Sequence, residues 1–174
     1  DNDEYICSDT DSDTCDDCSS GTYDIAGPGG TDGGGDGVDF DCDGTCDAGD
    51  NTVGGEITLS FSSLDNSDDD DDNDGLADLS DENTRGINYD LASCQGIRGF
   101  QFHVDGVDLI SASDGNLTVY SDNNNVIAFD FGGAQLPIGS GSLASLNFFA
   151  DLDGATIGLS DVVIGSSGSV EITT

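Results

Sequence analysis

Lysine is absent from this 174-residue chain, and Arg85, Arg98 and His103 are its only basic side chains. Against them stand 37 acidic residues, for a formal charge of −35. Without Lys there is no Schiff base, no P-loop lysine and no lysine-derived isopeptide crosslink. Nucleic-acid binding needs a basic footprint and is excluded. An anionic membrane surface repels such a chain, and no apolar run approaches the length of a spanning helix. Trp and Met are missing, and apolar residues reach only 34%. High charge with low hydrophobicity ordinarily leaves a chain unfolded. Here, however, the charge sits in Asp clusters, and the second half carries strand patterning. Self-repulsion of this size destabilises a compact state unless counter-ions neutralise it. Bound cations are the first expectation.

Six cysteines in a chain of this size indicate a disulfide framework, and hence an extracellular or cell-surface location. A chain opening on Asp1 rather than Met is expected to have lost a secretion signal. Residues 1–50 form an Asp/Gly/Cys-rich segment holding five of the six cysteines. Its Tyr5, Ile6, Tyr23, Ile25, Val38 and Phe40 are too few for a core, so metal and disulfides must hold it. Residues 51–174 read as a β-sandwich with an inserted calcium loop at 65–90. Alternation places Ile57, Leu59 and Phe61 on one strand face, and Phe100, Phe102 and Val104 on another. Further strands are expected at 107–112, 117–120, 126–131, 142–149, 156–159, 162–164 and 169–173. Turn signals such as Asp114-Gly115-Asn116 and Asp122–Asn125 separate them. Short strands without helical periodicity specify an all-β class, an antiparallel β-sandwich or jelly roll.

Two windows carry the strongest chemical signal. Asp39-x-Asp41-x-Asp43-Gly44-x-x-Asp47-x-x-Asp50 fits D-x-D-x-D-G-x-x-D-x-x-D at every specified position. Asp70-x-Asp72-x-Asp74-Gly75-x-x-Asp78-x-x-Asp81 fits it again. Random placement at this composition predicts roughly 0.006 full matches per chain. Calcium takes six to eight oxygen ligands, and a tight loop supplies carboxylates from positions 1, 3 and 5. Gly at position 6 permits the sharp turn, and the position 7 carbonyl, of Thr45 or Leu76, adds a donor. Position 12 closes the sphere, with position 9 acting directly or through water. A weaker copy places Asp9, Asp11, Asp13 and Asp17 at positions 1, 3, 5 and 9, but Thr14 replaces Gly and Ser20 stands at position 12. Fainter copies start at Asp32, with Asp36-Gly37 and Asp43, and at Asp1. Two calcium ions are expected from the full matches, and the weaker copies raise the ceiling to four or five.

These motifs resemble thrombospondin type 3 repeats over residues 1–50 and 65–82, and more distantly dockerin and EF-hand loops. Interleaved Cys42 and Cys46, and Cys15 and Cys18 in the weaker copy, strengthen the first comparison. The resemblance implies calcium on Asp39, Asp41, Asp43 and Asp50, and likewise on Asp70, Asp72, Asp74 and Asp81. Dockerins and EF-hands are disfavoured because flanking helices are missing, and EF-hands also because position 12 is Asp rather than Glu. Zinc at the cysteines is disfavoured by the dense carboxylates and the lack of a nearby His. Fifteen disulfide pairings are open, but if all six cysteines pair, Cys94 must reach back to the N-terminal segment.

Ile97–Val107, Ala128–Ala134 and Leu136–Leu143 give residues 53–174 a resemblance to cohesin and carbohydrate-binding-module sandwiches. That resemblance implies a dockerin or a sugar as ligand. Most Phe residues are expected in the core and the tyrosines are scattered, which argues against a sugar platform. One outward His103 assembles no Ser/His/Asp set, so no enzyme is expected, and a secreted hydrolase ranks last. Asn116-Leu117-Thr118 is a glycosylation sequon. The expected function is a non-catalytic, calcium-stabilised extracellular structural protein, self-assembling into a surface filament or matrix. The alternative is a cohesin-like or carbohydrate-binding adhesion module of a larger secreted protein. Partners are then copies of the chain itself or another extracellular protein.

Overall fold

A computed structural model describes residues 9–18, 23–25, 27–29, 34–62, 82–149, 156–166 and 171–172. Among them the regular elements are all β, in chain order β1 (Pro28–Gly29), β2 (Gly34–Gly35), β3 (Glu56–Phe61), β4 (Glu82–Ala92), β5 (Ile97–Asp105), β6 (Asp108–Ser113), β7 (Thr118–Asp122), β8 (Asn125–Phe129), β9 (Gly139–Phe149), β10 (Gly158–Ser166) and β11 (Glu171–Ile172). No helix among them is long and apolar enough to cross a membrane. Two antiparallel sheets form the sandwich, one ordered β11-β10-β5-β8-β7 and the other β3-β4-β9-β6. The β1–β2 pair stands apart, joining Pro28 to Gly35 and Gly29 to Gly34.

The core sits where the inward residues of both sheets meet. Ile57, Ile87, Tyr89, Leu143, Leu146 and Phe148 come from one sheet, and Ile97, Phe100, Phe102, Val104, Val126, Ala128 and Ile164 from the other. Alternation explains most of this, because successive side chains of a strand point to opposite faces. Leu143 and Ala144 are both buried, breaking the alternation, and a register shift in the β4–β9 pairing lies opposite them. Such a bulge inserts one residue and resets which face follows it. Tyr89 is buried because its hydroxyl donates to the carbonyl of Pro137 at 2.8 Å.

Two expectations need correction. The polar interruption at 65–90 stops short, since Glu82–Ala92 is an eleven-residue strand pairing with both β3 and β9. Asn88 and Asp90 made it read as a loop, yet Ile87, Tyr89 and Leu91 alternate inward beneath them. The strands expected at 156–159 and 162–164 are one, β10. Its pairing with β5 shifts register between Ser160 and Val163, where Asp161 adopts a φ of 51°. The Asp122–Asn125 turn is a two-residue hairpin loop, with φ of 48° and 61° at Asn123 and Asn124. Positive φ at both central residues matches the right-handed twist of the flanking strands.

Candidate metal centre

The loop beginning at Asp39 winds around its own carboxylates. The Asp39 side chain accepts the amides of Asp43 (3.2 Å) and Gly44 (3.0 Å) on its two oxygens. Asp41 also accepts from Asp43, and Asp43 accepts from Thr45 at 2.7 Å. Asp47 accepts the Phe40 amide at 2.7 Å, pulling position 9 back over position 2. Gly44 has a φ of 95° with open space around it, so backbone conformation alone demands glycine at position 6. Carboxylate oxygens of Asp39, Asp41 and Asp43 lie within 4.8 Å of one another. Asp39 and Asp41 are buried. Asp50 accepts from the amide and hydroxyl of Thr52 on one oxygen, while its other oxygen is buried with no partner.

The weaker copy folds the same way. Asp9 accepts the amides of Asp13 (3.1 Å) and Thr14 (3.2 Å), as Asp39 does at positions 5 and 6. Asp13 accepts from Cys15 at 2.8 Å, the counterpart of Asp43 with Thr45. Asp17 takes the Thr10 amide, as Asp47 takes that of Phe40. Positions 4 and 6 carry positive φ in both loops: Ser12 (69°) and Thr14 (73°), then Cys42 (62°) and Gly44 (95°). The two loops therefore form a repeat offset by 30 residues, 39 minus 9. Thr14 tolerates position 6 while its hydroxyl donates to the Cys46 carbonyl at 3.3 Å. Carboxylate oxygens of Asp9, Asp11 and Asp13 also lie within 4.8 Å of one another.

Disulfides join the copies to each other and to the sandwich. Cys15 bonds Cys46, linking position 7 of the first loop to position 8 of the second. The Cys46 amide donates to the Asp13 carbonyl at 2.9 Å beside that link. Cys42 bonds Cys94 across 52 residues, so the expected reach of Cys94 into the N-terminal segment is met. There the Cys94 amide donates to the Asp41 carbonyl at 2.9 Å. Cys18 is disulfide-bonded as well.

The second loop crowds like charges around a buried carboxylate. Burial, aided by the charges of Asp43 and Asp50, pushes the Asp41 carboxyl up to about 6, against a lowering amide bond from Asp43. The donor set is all oxygen and hard, as calcium requires. The Thr45 carbonyl is at the position where a backbone donor is needed. Asp70, Asp72, Asp74, Leu76, Asp78 and Asp81 of the other full motif lie outside the described residues, as do Asp1 and Asp32. Asp36, of the fainter copy that starts at Asp32, is described. It is wholly buried, with its carboxylate within 4.8 Å of those of Asp11 and Asp17. Spacing assigned it to that fainter copy and gave no sign of its place beside the first loop, because it lies 16 residues beyond position 12 of that loop, 36 minus 20.

A second feature also escaped the sequence. Phe100, Phe102 and Phe148 are buried as expected, but Phe131 is 96% exposed and Tyr120 is 56% exposed. Phe129 stacks on Tyr120 with centroids 5.6 Å apart and meets Phe131 edge-on at 5.0 Å. Ile127 and Val163 are exposed on the same outer face of the five-stranded sheet, flanking Gln101 in register. His103 faces outward too, beside Asn125 (3.2 Å) and Asp105 (3.9 Å).

No protein-family model matches the chain, and no curated protein matches it. Among solved structures it is similar to the cohesin module of a family 33 glycoside hydrolase from Clostridium perfringens, at 10% identity and a TM-score of 0.46, covering 68% of this chain and 88% of that one. It is similar to the seventh ScaB type I cohesin of Pseudobacteroides cellulosolvens, at 18% identity and 0.39, over 56% and 77%. A non-cellulosomal cohesin from the archaeon Archaeoglobus fulgidus follows at 13% and 0.38, over 54% and 74%. The similarity is one of sandwich outline.

Proposed function

We propose that this chain is a non-catalytic extracellular module, stabilised by calcium in its Asp loops, that presents the outer face of a β-sandwich to another protein. The observation that carries the calcium reading is the repeat: two loops fold their carboxylates by the same bonds at the same positions. Asp39, Asp41, Asp43, Asp47, Asp50 and the Thr45 carbonyl would hold one ion. Asp9, Asp11, Asp13 and Asp17 would hold a second, and Asp70, Asp72, Asp74, Asp78, Asp81 and the Leu76 carbonyl a third. The ion supplies charge compensation and no chemistry on a substrate. What the chain supplies is a set of oxygens already drawn together by its own amides, so that little ordering is left to the ion. Disulfides agree with an oxidising compartment.

The patch of Tyr120, Ile127, Phe129, Phe131 and Val163 supports the partner. Contiguous exposed apolar surface on an otherwise acidic chain marks an interaction site. The rings pack on one another, stacked and edge-on, and so favour a protein surface over a flat sugar platform. Titration calorimetry with calcium up to about 1–10 mM, beside thermal melting in chelator, tests the metal half. Two or three ions per chain and a higher melting temperature are expected. No bound ion at those concentrations overturns it. Sedimentation of the calcium-loaded chain then decides between a homopolymer and a different partner protein, with assembly abolished by Phe131→Ser in the first case.

A further inference from the structure

Resting on the calcium reading of the first loop, we infer that Asp36 is the ligand this loop lacks at position 12, so that its cation site is assembled from two separate stretches of chain. Ser20 stands where the second loop has Asp50. In its place the fold brings in Asp36, which is 0% exposed. Neither carboxylate oxygen of Asp36 has a hydrogen-bond partner. Its oxygens approach those of Asp11 and Asp17 within 4.8 Å, and one lies equally close to Asp13, whose own Oδ2 is buried without a partner.

The delivery of Asp36 has a structural cause. It follows β2, and its neighbour Gly37 lies directly against the Cys15–Cys46 disulfide, where a β-carbon would overlap both sulfurs. Glycine at 37 thus lets the chain press onto the link between the loops, which sets Asp36 over the first. A buried carboxylate without a partner is costly, and three like charges around it add to that cost. Burial raises its carboxyl above the usual range, and Asp13, Asp11 and Asp17 act in the same direction. A divalent cation among these oxygens satisfies all of them at once. The pattern matches the second loop, where the residue with an unpartnered buried oxygen is its position 12, Asp50.

The site carries its own reporter. The Tyr23 hydroxyl lies 3.3 Å from that of Thr10, which donates to Asp17. Terbium bound here is therefore sensitised by Tyr23, and the signal is lost in Tyr23→Phe. The experiment compares the full chain with Asp36→Asn and Asp39→Asn, reading tyrosine-sensitised terbium emission, calcium stoichiometry and melting with and without chelator. Asp36→Asn is expected to weaken the Tyr23-sensitised site about tenfold or more, since affinity follows ligand charge count. Asp39→Asn should leave that site in place while losing a different ion. Melting gives a sign test: Asp36→Asn raises the melting temperature in chelator, by removing an unpaired buried charge, and lowers it in calcium. Unchanged terbium affinity, or the same shift of melting in both conditions, overturns the role of Asp36 while leaving the loop reading intact. No ion on the wild-type chain overturns both.

Discussion

Every buried residue described between Asp9 and Asp50 is an aspartate or a half-cystine: Cys15, Asp17, Asp36, Asp39, Asp41 and Cys46. From Ile57 to Ile172 the buried side chains are almost all aliphatic or aromatic. The two regions thus reach compactness by opposite means. The sandwich excludes water from apolar surface, which stabilises it whatever ions are present. The loop segment gathers like charges around buried oxygens, which is unfavourable unless cations compensate it. The Cys42–Cys94 bond joins them, so the loop segment is held near the sandwich even when its own interior is unstable. The lesson is that a polar interior can be as specific as an apolar one when most of its carboxylates are aimed by backbone amides.

Perturbations of one region should leave the other's response distinct. The largest effect is expected from Leu146→Ala, which opens a hole in a fully buried position and costs about 2–5 kcal/mol. Denaturant melts in calcium and in chelator should show the same loss, because the cavity opens among apolar side chains of the core. A loss that vanishes in chelator would mean that the sandwich too depends on metal. Replacing Cys42 and Cys94 together by Ser should cost about 2–4 kcal/mol by releasing the 52-residue loop. Hydrogen exchange should then show residues 38–50 opening while β5 and β9 stay protected. Equal loss of protection in both would break the division.

Acidity should act on the loops alone. The folded Asp41 carboxyl is raised above its ordinary value of 3.8 to about 6, so between these values the folded chain holds more protons than the unfolded one. Stability in chelator therefore falls as pH rises through that window. Saturating calcium should reverse the trend, since the ion requires the ionised form. Melting at pH 4 and pH 7 with and without calcium checks both signs, and parallel curves would remove metal from the loop. The smallest effect is expected from Gly44→Ala, about 1–2 kcal/mol, as a side chain enters a left-handed conformation in open space. It should appear in calcium affinity as well as in stability, whereas Gly133→Ala, likewise at positive φ in open space, should affect stability only.

The full motif at 39–50 was legible because its acidic residues are local: five Asp residues and one Gly lie within twelve positions, and the bonds that wind Asp39, Asp41, Asp43 and Asp47 stay inside that window. Most strands were legible for the same reason, since alternation such as Phe100, Phe102 and Val104 is a property of neighbours. The strand Glu82–Ala92 was hidden by Asn88 and Asp90, whose outward side chains carry no information about the inward row. The face that gathers Tyr120, Phe129 and Phe131 depends on the register of β7 with β8 and on the turn after β8, and no single segment contains it. Sequence alone thus determined an acidic, lysine-free, all-β chain with Asp-rich turn motifs, because composition and short-range spacing encode charge and local turns. Only the tertiary structure decided which half-cystines meet among Cys15, Cys42, Cys46 and Cys94, and that Asp36 joins Asp11 and Asp17. Both are contacts between distant stretches, set by how the loops dock on each other and on the sandwich.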